Sequence, residues 1–305
     1  MIRLLIVIFL YLTLSNAQSI ETKIVYNIQN EIITNVDVKN EFKYLLALNN
    51  NLKELSKEKI LNISNTSIIR EKIKKIEILK NFKQIKINDE HSSFLLKNTY
   101  SRLGLKSLDE FELYLKEYGL TLDNVKEKII INALWNQLIY IKYGSQVTVN
   151  EEKIKKKIIK DSKSQSKEYQ LSEIIFDIKN REEIQKKYRE IIESINEIGF
   201  KNTASIYSFS DSAKIGGDIG WVNENSLNNR IKDSISNLNI GEASKPIILS
   251  NGVMILMIID KKTSDIKIDH DIELEKAINY EKNRQLSQYS KIYFNKVKKN
   301  LEFNE

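Results

Sequence analysis

The 305-residue chain contains no cysteine, one proline and two histidines. The lack of cysteine and the scarcity of histidine exclude several kinds of catalytic and metal-binding site. Without cysteine there is no disulfide, no thiolate nucleophile and no zinc or iron–sulfur site with cysteine ligands. The two histidines, His91 and His270, lie far apart in the sequence, so metal binding and histidine-based acid–base catalysis have few candidates. We therefore expect neither a metal nor a cofactor.

The composition is that of a folded, largely helical protein. Apolar residues make up 41% of the chain and charged residues 29%, and Pro246 is the single proline, unlike the composition of a disordered segment. Lysine alternates with glutamate, as in Glu71-Lys72 and Glu127-Lys128, which is typical of solvated helix faces. Despite a net charge of +7, no basic face with interleaved aromatics is present, so we expect no nucleic-acid partner.

Residues 1–17 have the pattern of a secretory signal peptide. Arg3 supplies the positive charge, an apolar run extends from Leu4 to Leu14, and a small-x-small cleavage site ends at Ala17. The apolar run is well short of the roughly 20 residues needed to span a bilayer. We expect cleavage after Ala17, a mature chain that begins at Gln18 in the periplasm, and no integral membrane segment in that mature chain.

The rest of the chain reads as helices interrupted by a second domain. The alternating pattern from Ile24 to Val38 predicts a strand or hairpin, and helical spacing then dominates from Lys57 to Lys160. A polar stretch follows at 161–167, which we interpret as a linker. Beyond it the pattern is strand, helix, helix, glycine-rich loop, helix and two strands. A final helix from Ile272 carries an apolar stripe made of Leu274, Ile278, Leu286, Tyr289, Ile292, Tyr293 and Val297.

That apolar stripe would be exposed to water unless the final helix packed back onto the N-terminal helices. We therefore predict an α+β protein: an all-helical module formed by the N- and C-terminal segments, with an antiparallel sheet-and-helix domain inserted between them. The predicted parts are a signal peptide at 1–17, an N-terminal helical domain at 18–160, a linker at 161–167, the inserted domain at 168–262 and a C-terminal helix at 263–305.

The hexapeptide GGDIGW at 216–221 is the most distinctive motif of the inserted domain. Its glycine pair permits a positive φ or a close backbone approach, and Asp218 can accept hydrogen bonds from turn amides. Together with LNIGEASKP at 238–246 and NGVM at 251–254, it makes the stretch from Tyr169 to Asp260 resemble the parvulin (PpiC-type) family of peptidyl-prolyl isomerases. The resemblance implies an FKBP-like domain of antiparallel strands and helices.

The resemblance also implies a substrate site. Parvulins hold the prolyl ring in an apolar pocket and surround the twisting amide with polar groups, without covalent chemistry. The pocket wall falls on residues that are all apolar here: Ile219, Leu227, Ile231 and Met254.

The catalytic positions of the family are altered in this chain. Its two central histidines fall on Glu173 and Met254, and its cysteine-or-aspartate position falls on Ser210 or Asp211. A carboxylate and a thioether thus replace two imidazoles. Two alternatives remain open: an isomerase, or a domain that binds or spaces substrate without catalysis.

The segments around this domain resemble the SurA family of periplasmic chaperones. That resemblance implies a folding factor whose helical module binds unfolded outer-membrane or periplasmic polypeptides, and as the alternative a pure holdase with an inactive parvulin domain. A helical adaptor or adhesion protein with no role in client folding is the third possibility. Candidates for an apolar client-binding groove are Tyr100, Phe111, Tyr114, Trp135 and Tyr140.

Overall fold

The computed structural model describes residues 21–29, 31–161, 166–178, 180–249, 252–264 and 270–304. The predicted signal peptide, Gln18 and residues 162–165 of the predicted linker lie outside these ranges. Within them, no helix combines the length and the apolar character that crossing a membrane requires.

The N-terminal part begins with a hairpin of β1 (Ile24–Ile28) and β2 (Glu31–Thr34) that leads into helix α1 (Asn35–Leu48). The side chain of Thr34 accepts a hydrogen bond from the Asp37 amide, and the Asp37 carboxylate accepts one from the Thr34 amide. This reciprocal capping box starts α1 at Asn35, so the strand pattern predicted as far as Val38 ends at Thr34. The helices that follow are α2 (Lys57–Asn81), α3 (Asp89–Arg102), α4 (Leu108–Glu117), α5 (Leu122–Tyr143) and α6 (Glu151–Asp161).

The inserted domain is a four-stranded antiparallel sheet with helices on both faces. The strands lie in the order β4-β3-β6-β5. Helix α7 packs on the face that carries Ile174 and Phe176, and α8 packs on the face that carries Leu171 and Met254. The elements are β3 (Ser166–Phe176), α7 (Glu183–Tyr207), β4 (Asp218–Asn223), α8 (Asn229–Ile235), β5 (Ile247–Leu249) and β6 (Gly252–Ser264).

The structure differs from the predicted pattern of this domain in three places. Residues 218–221, predicted as loop, belong to β4, because pairing with β3 outweighs the poor strand propensity of the glycines. Strand β3 begins at Ser166, inside the predicted linker, and β6 continues to Ser264, past the predicted boundary at 262. The ends of these strands are polar, so they lack the alternation of apolar and polar residues by which a strand is recognised in a sequence. Glu168 and Lys262, for example, pair across the two strands and form an ion pair of 2.9 Å.

The C-terminal segment packs against the N-terminal helices. Helix α9 (His270–Lys299) packs against α5, where the indole of Trp135 donates a hydrogen bond of 2.8 Å to the Ser290 hydroxyl. Strand β7 (Phe303–Asn304) then pairs with β1 to give a sheet of order β2-β1-β7. The predicted fold class is confirmed, with this small sheet added to the helical module. One stripe position is wrong, because Ile292 is 55% exposed while the neighbouring Phe294 packs into the core.

Candidate functional site

The GGDIGW segment connects the short helical turn Asp211–Ile215 to strand β3 through backbone hydrogen bonds. The amide of Glu173 donates to the carbonyl of Gly217, and the amide of Gly217 donates to the carbonyl of Ser212, each at 2.8 Å. Gly217 has a φ of +81°, and a Cβ at this position would lie 2.3 Å from the carbonyl oxygen of Glu173. Only glycine fits such an approach. The motif therefore sets the distance between β3 and the short helical turn Asp211–Ile215.

The carboxylate of Glu173 lies in a small cluster of hydroxyl groups. The Ser212 hydroxyl donates to Oε1 of Glu173 at 2.9 Å and lies 2.5 Å from the Ser210 hydroxyl. Ser208 extends the chain by donating to Ser210 at 3.2 Å. Burial raises the pKa of Glu173, and the negative charge of Asp211 raises it further. The hydrogen bonds from Ser212 and Ser210 lower this pKa, but burial has the larger effect. The side chain thus holds a proton more readily than an exposed glutamate, and its protonated form can donate a hydrogen bond.

Of the two residues matched to the family's cysteine-or-aspartate position, only Ser210 joins this cluster. Asp211 instead forms an ion pair of 3.0 Å with Lys74, a buried lysine of α2. The positive charge of Lys74 lowers the pKa of Asp211. Burial alone would raise this pKa, but the effect of Lys74 is larger, so the aspartate stays ionised. In this structure Asp211 joins the inserted domain to the module.

The residues predicted for the prolyl pocket come together on the same face of the sheet as Glu173. Met254 pairs with Ile175 across β3 and β6, and Ile175 follows Glu173 by two residues, so their side chains share a face. Leu227, Ile231 and Met254 are between 1% and 4% exposed, and Ile219 packs against them. Their contact with a prolyl ring stays a prediction.

Tyr280 of α9, which the sequence interpretation missed, covers this face. Its ring packs against the apolar cluster that contains Leu227 and Met254. Burial raises the pKa of Tyr280, and the nearby charge of Glu173 raises it further. The C-terminal helix therefore lies over the site at which the prolyl ring was expected.

A sequence signal for this contact exists. Glu273, Ala277, Tyr280 and Arg284 follow one another at intervals of four, three and four residues, which places them on one face of a helix. Glu273 and Ala277 are only 8% and 2% exposed, so this second face is also buried.

The aromatic residues proposed for a client groove do not form one. Phe111 and Trp135 have no exposed surface, which makes their assignment to a groove wrong. Tyr100 and Tyr114 pack against the cluster around Phe111, while Tyr140 is 65% exposed on a different helix. Aromatic residues at helical spacing serve here mainly as core.

The comparisons with known proteins agree with the parvulin resemblance. Residues 152–260 match the profile of the rotamase family described as the PPIC-type PPIASE domain. Chaperone SurA of Pseudomonas putida is 26% identical over 187 residues, which are 58% of this chain and 44% of that protein. Foldase protein PrsA of Staphylococcus epidermidis is 26% identical over 215 residues, which are 70% of this chain and 62% of that protein. The chain thus spans less than half the length of that SurA.

Among solved structures, a chain of the SurA-like chaperones PEB4 and Cj1289 of Campylobacter jejuni aligns with 92% of this chain and 98% of its own length, at 16% identity and a TM-score of 0.35. A PpiC-type peptidyl-prolyl cis-trans isomerase domain aligns with 32% of this chain at 26% identity and a TM-score of 0.29.

Proposed function

We propose that this SurA-like chain, with its PpiC-type rotamase domain at 152–260, binds unfolded exported polypeptides and prevents their aggregation. The proposed location is the periplasm, after removal of residues 1–17, and the proposed clients are outer-membrane proteins. The likeness to the chaperone SurA and the foldase PrsA supports a role in polypeptide folding. In this proposal the rotamase domain is inactive while α9 lies in its described position.

The covered prolyl site is the observation that carries the proposal. Leu227 and Met254 are 1% and 4% exposed, and Tyr280 packs against the cluster to which both belong. In this proposal a prolyl ring reaches Met254 only after α9 moves away. The barrier to rotation about an X-Pro bond is about 20 kcal/mol, and an amide that stays in water keeps that barrier.

The test uses the mature chain, residues 18–305, and two assays on the same preparation. Light scattering follows the aggregation of a urea-unfolded outer-membrane protein after dilution, and a proline-containing peptide reports cis–trans isomerisation. We expect suppression of aggregation near equimolar ratios and an isomerisation rate at the uncatalysed level. Fast isomerisation without suppression would contradict the proposal.

A second candidate function, prolyl isomerisation itself, is favoured by the polar cluster. A protonated Glu173, held by Ser212 beside Met254, could donate a hydrogen bond to the prolyl nitrogen and so assist its rotation. If this function operates, Glu173→Leu abolishes isomerisation while Glu173→Gln, which still donates a hydrogen bond, retains part of it. Equal rates for both variants would exclude this role of Glu173.

A further inference from the structure

A cleft of about 500 Å³ lies between helix α2 of the module and helix α7 of the inserted domain, next to the Glu173 cluster, whose Ser208 also lines it. Its size falls within the usual range of ligand-binding cavities. Apolar, small polar and charged side chains all line it, and Leu45, Ile63 and Ile206 are among the apolar ones. The mixed lining suits a peptide segment better than a purely hydrophobic ligand.

Arg70 of α2 lines this cleft with a guanidinium group that lacks an acceptor. Within the described ranges, no oxygen accepts a hydrogen bond from it and no carboxylate lies at ion-pair distance. Burial lowers the pKa of Arg70, although the charge of Asp211 opposes this effect. Arg70 is half-buried, so its guanidinium, with five N–H donors, is accessible to a ligand in the cleft. An anion in the cleft would satisfy it.

Lys214 provides a second cation on the opposite wall. Its ammonium group lies 6.0 Å from the centre of the Tyr44 ring, and no described carboxylate pairs with it. The nearby carboxylates have other partners, since Asp211 bonds to Lys74 and Glu41 bonds to Lys128. Lys128 is shared by Glu41 and Glu71, so the four cations Arg70, Lys74, Lys128 and Lys214 exceed the three carboxylates Asp211, Glu41 and Glu71 by one, and this side of the cleft is net positive.

The α7 wall carries the opposite charge. Glu190, Glu193 and Glu197 line the cleft from this helix, and Glu193 and Glu197 are exposed. Among the residues that the structure describes, Glu197 pairs with Lys59 alone, in an exposed ion pair of 3.6 Å that contributes little in water. A bound segment would meet two cations inside and a negative rim outside.

We propose that this cleft binds a polypeptide segment through one carboxylate, which Arg70 and Lys214 hold, while a basic side chain of the segment faces Glu193 and Glu197. The planar guanidinium suits bidentate pairing with a carboxylate. The carboxylate is that of an aspartate, a glutamate or a chain terminus, which share this chemistry. The inference deepens the proposed client binding and rests on it.

The test measures the binding of short fluorescent peptides to residues 18–305 by polarisation. The first peptide contains one Asp followed by two Lys residues and has an amidated C-terminus, and the second carries Asn in place of Asp. A third peptide lacks Asp but has a free C-terminal carboxylate. We expect the Asp peptide to bind at least about tenfold more tightly than the Asn peptide, as charge-assisted hydrogen bonds imply. Binding of the third peptide shows whether a chain terminus also serves.

Two variants assign the binding to the cleft. Arg70→Gln and Lys214→Gln should each weaken the Asp peptide severalfold to tenfold, whereas Arg102→Gln, on the exposed surface of α3, should leave it unchanged. Because Arg70 has no partner in the free cleft, its replacement should not lower the Tm, and circular dichroism verifies the fold. Equal binding of the Asp and Asn peptides, or no effect of either variant, would overturn the site.

The aggregation assay separates this inference from the proposed function. If aggregation is suppressed but no peptide binds, the cleft is not a client site while the chaperone function stands. If the Asp peptide binds in the cleft but no aggregation is suppressed, the site stands as a peptide site and the chaperone function fails.

Discussion

Ser166 and Ser264 face each other across β3 and β6, so the chain enters and leaves the inserted domain at one place. Paired residues of an antiparallel ladder have Cα atoms about 5 Å apart. A domain whose ends are this close can be removed and the gap closed without stretching the rest of the chain.

The first prediction is that the module survives without the inserted domain. Residues 167–262 are replaced by a short glycine–serine linker in a chain that also carries Lys74→Met, because the deletion removes Asp211, the partner of that buried lysine. The packing of α9 on α5, with Tyr289 stacked 4.8 Å from Tyr143, is untouched. We expect a helical protein that retains part of the suppression of aggregation, because the module keeps Arg70 while the deletion removes Lys214 and the α7 wall of the cleft.

Circular dichroism and size-exclusion chromatography establish whether this variant folds. A folded variant without suppression would place client binding in the inserted domain or in the cleft against it. An unfolded variant would show that the two chain ends do not form a module by themselves.

The second prediction is that shortening Tyr280 uncovers the prolyl site. In Tyr280→Ala the cluster that contains Leu227 and Met254 loses its cover, so a proline-containing peptide should bind measurably by NMR titration where the wild type shows no binding. Stability should fall by up to about 3 kcal/mol, as for other losses of buried side-chain contacts. Tyr140→Ala is the control, since Tyr140 is 65% exposed. Unchanged peptide binding in Tyr280→Ala would mean that α9 is not what closes the site.

The third prediction concerns Glu173 and pH. Burial raises its pKa above the ordinary value of 4.5, so the folded protein binds this proton more tightly than the unfolded chain does. The free energy of unfolding therefore falls as pH rises from the ordinary value through the folded pKa. Glu173→Gln retains an acceptor for Ser212 but carries no titratable group, so its free energy of unfolding should not fall over this pH range.

Thermal unfolding by calorimetry tests it. The Tm of Glu173→Gln should exceed that of the wild type at about pH 7, and the difference should vanish below about pH 4, where glutamate is protonated in both states. Glu90→Gln, on the exposed surface of α3, serves as the control. A Tm difference independent of pH would refute the linkage.

The fourth prediction is that Lys128 is essential to the module. Its ammonium group bonds to Glu41 at 2.7 Å and to Glu71 at 2.8 Å, and Glu41 has no exposed surface. Lys128→Met leaves two carboxylates without their cation, so we expect a loss of about 3–5 kcal/mol in urea denaturation. Lys75→Met breaks the more exposed pair with Glu127 and should cost less than about 1 kcal/mol. Similar losses for the two variants would contradict the assignment.

Local sequence patterns predicted much of this fold because the interactions they describe are local. Thr34, Ser107 and Thr121 each accept a hydrogen bond from an amide three residues ahead at the start of a helix, and residues of these types favour that position. The glycine signature likewise predicted a close backbone approach, which Gly217 makes to Glu173. Such contacts depend on neighbours in the sequence or on one motif.

The site was predicted less completely, because its covering residue comes from another part of the chain. Glu173 and Met254 share a face of the sheet, but Tyr280 reaches this face only through the path of α9. Asp211 in the same way contacts Lys74, which is 137 positions away. No periodicity within either segment specifies which distant surface it will meet.

The pairing of β7 with β1 has a consequence for the order in which the protein is completed. Asn27 and Ile28 pair with Asn304 and Phe303. During synthesis of the chain, β1 is therefore complete long before its partner strand β7 has been translated. Contacts this distant in sequence form slowly, and a strand edge left open can pair with another chain. The inserted domain has all its strands between 166 and 264 and can fold during this interval. During its own biogenesis this protein therefore passes through a stage with an open edge, in which it resembles the unfolded chains it is proposed to protect.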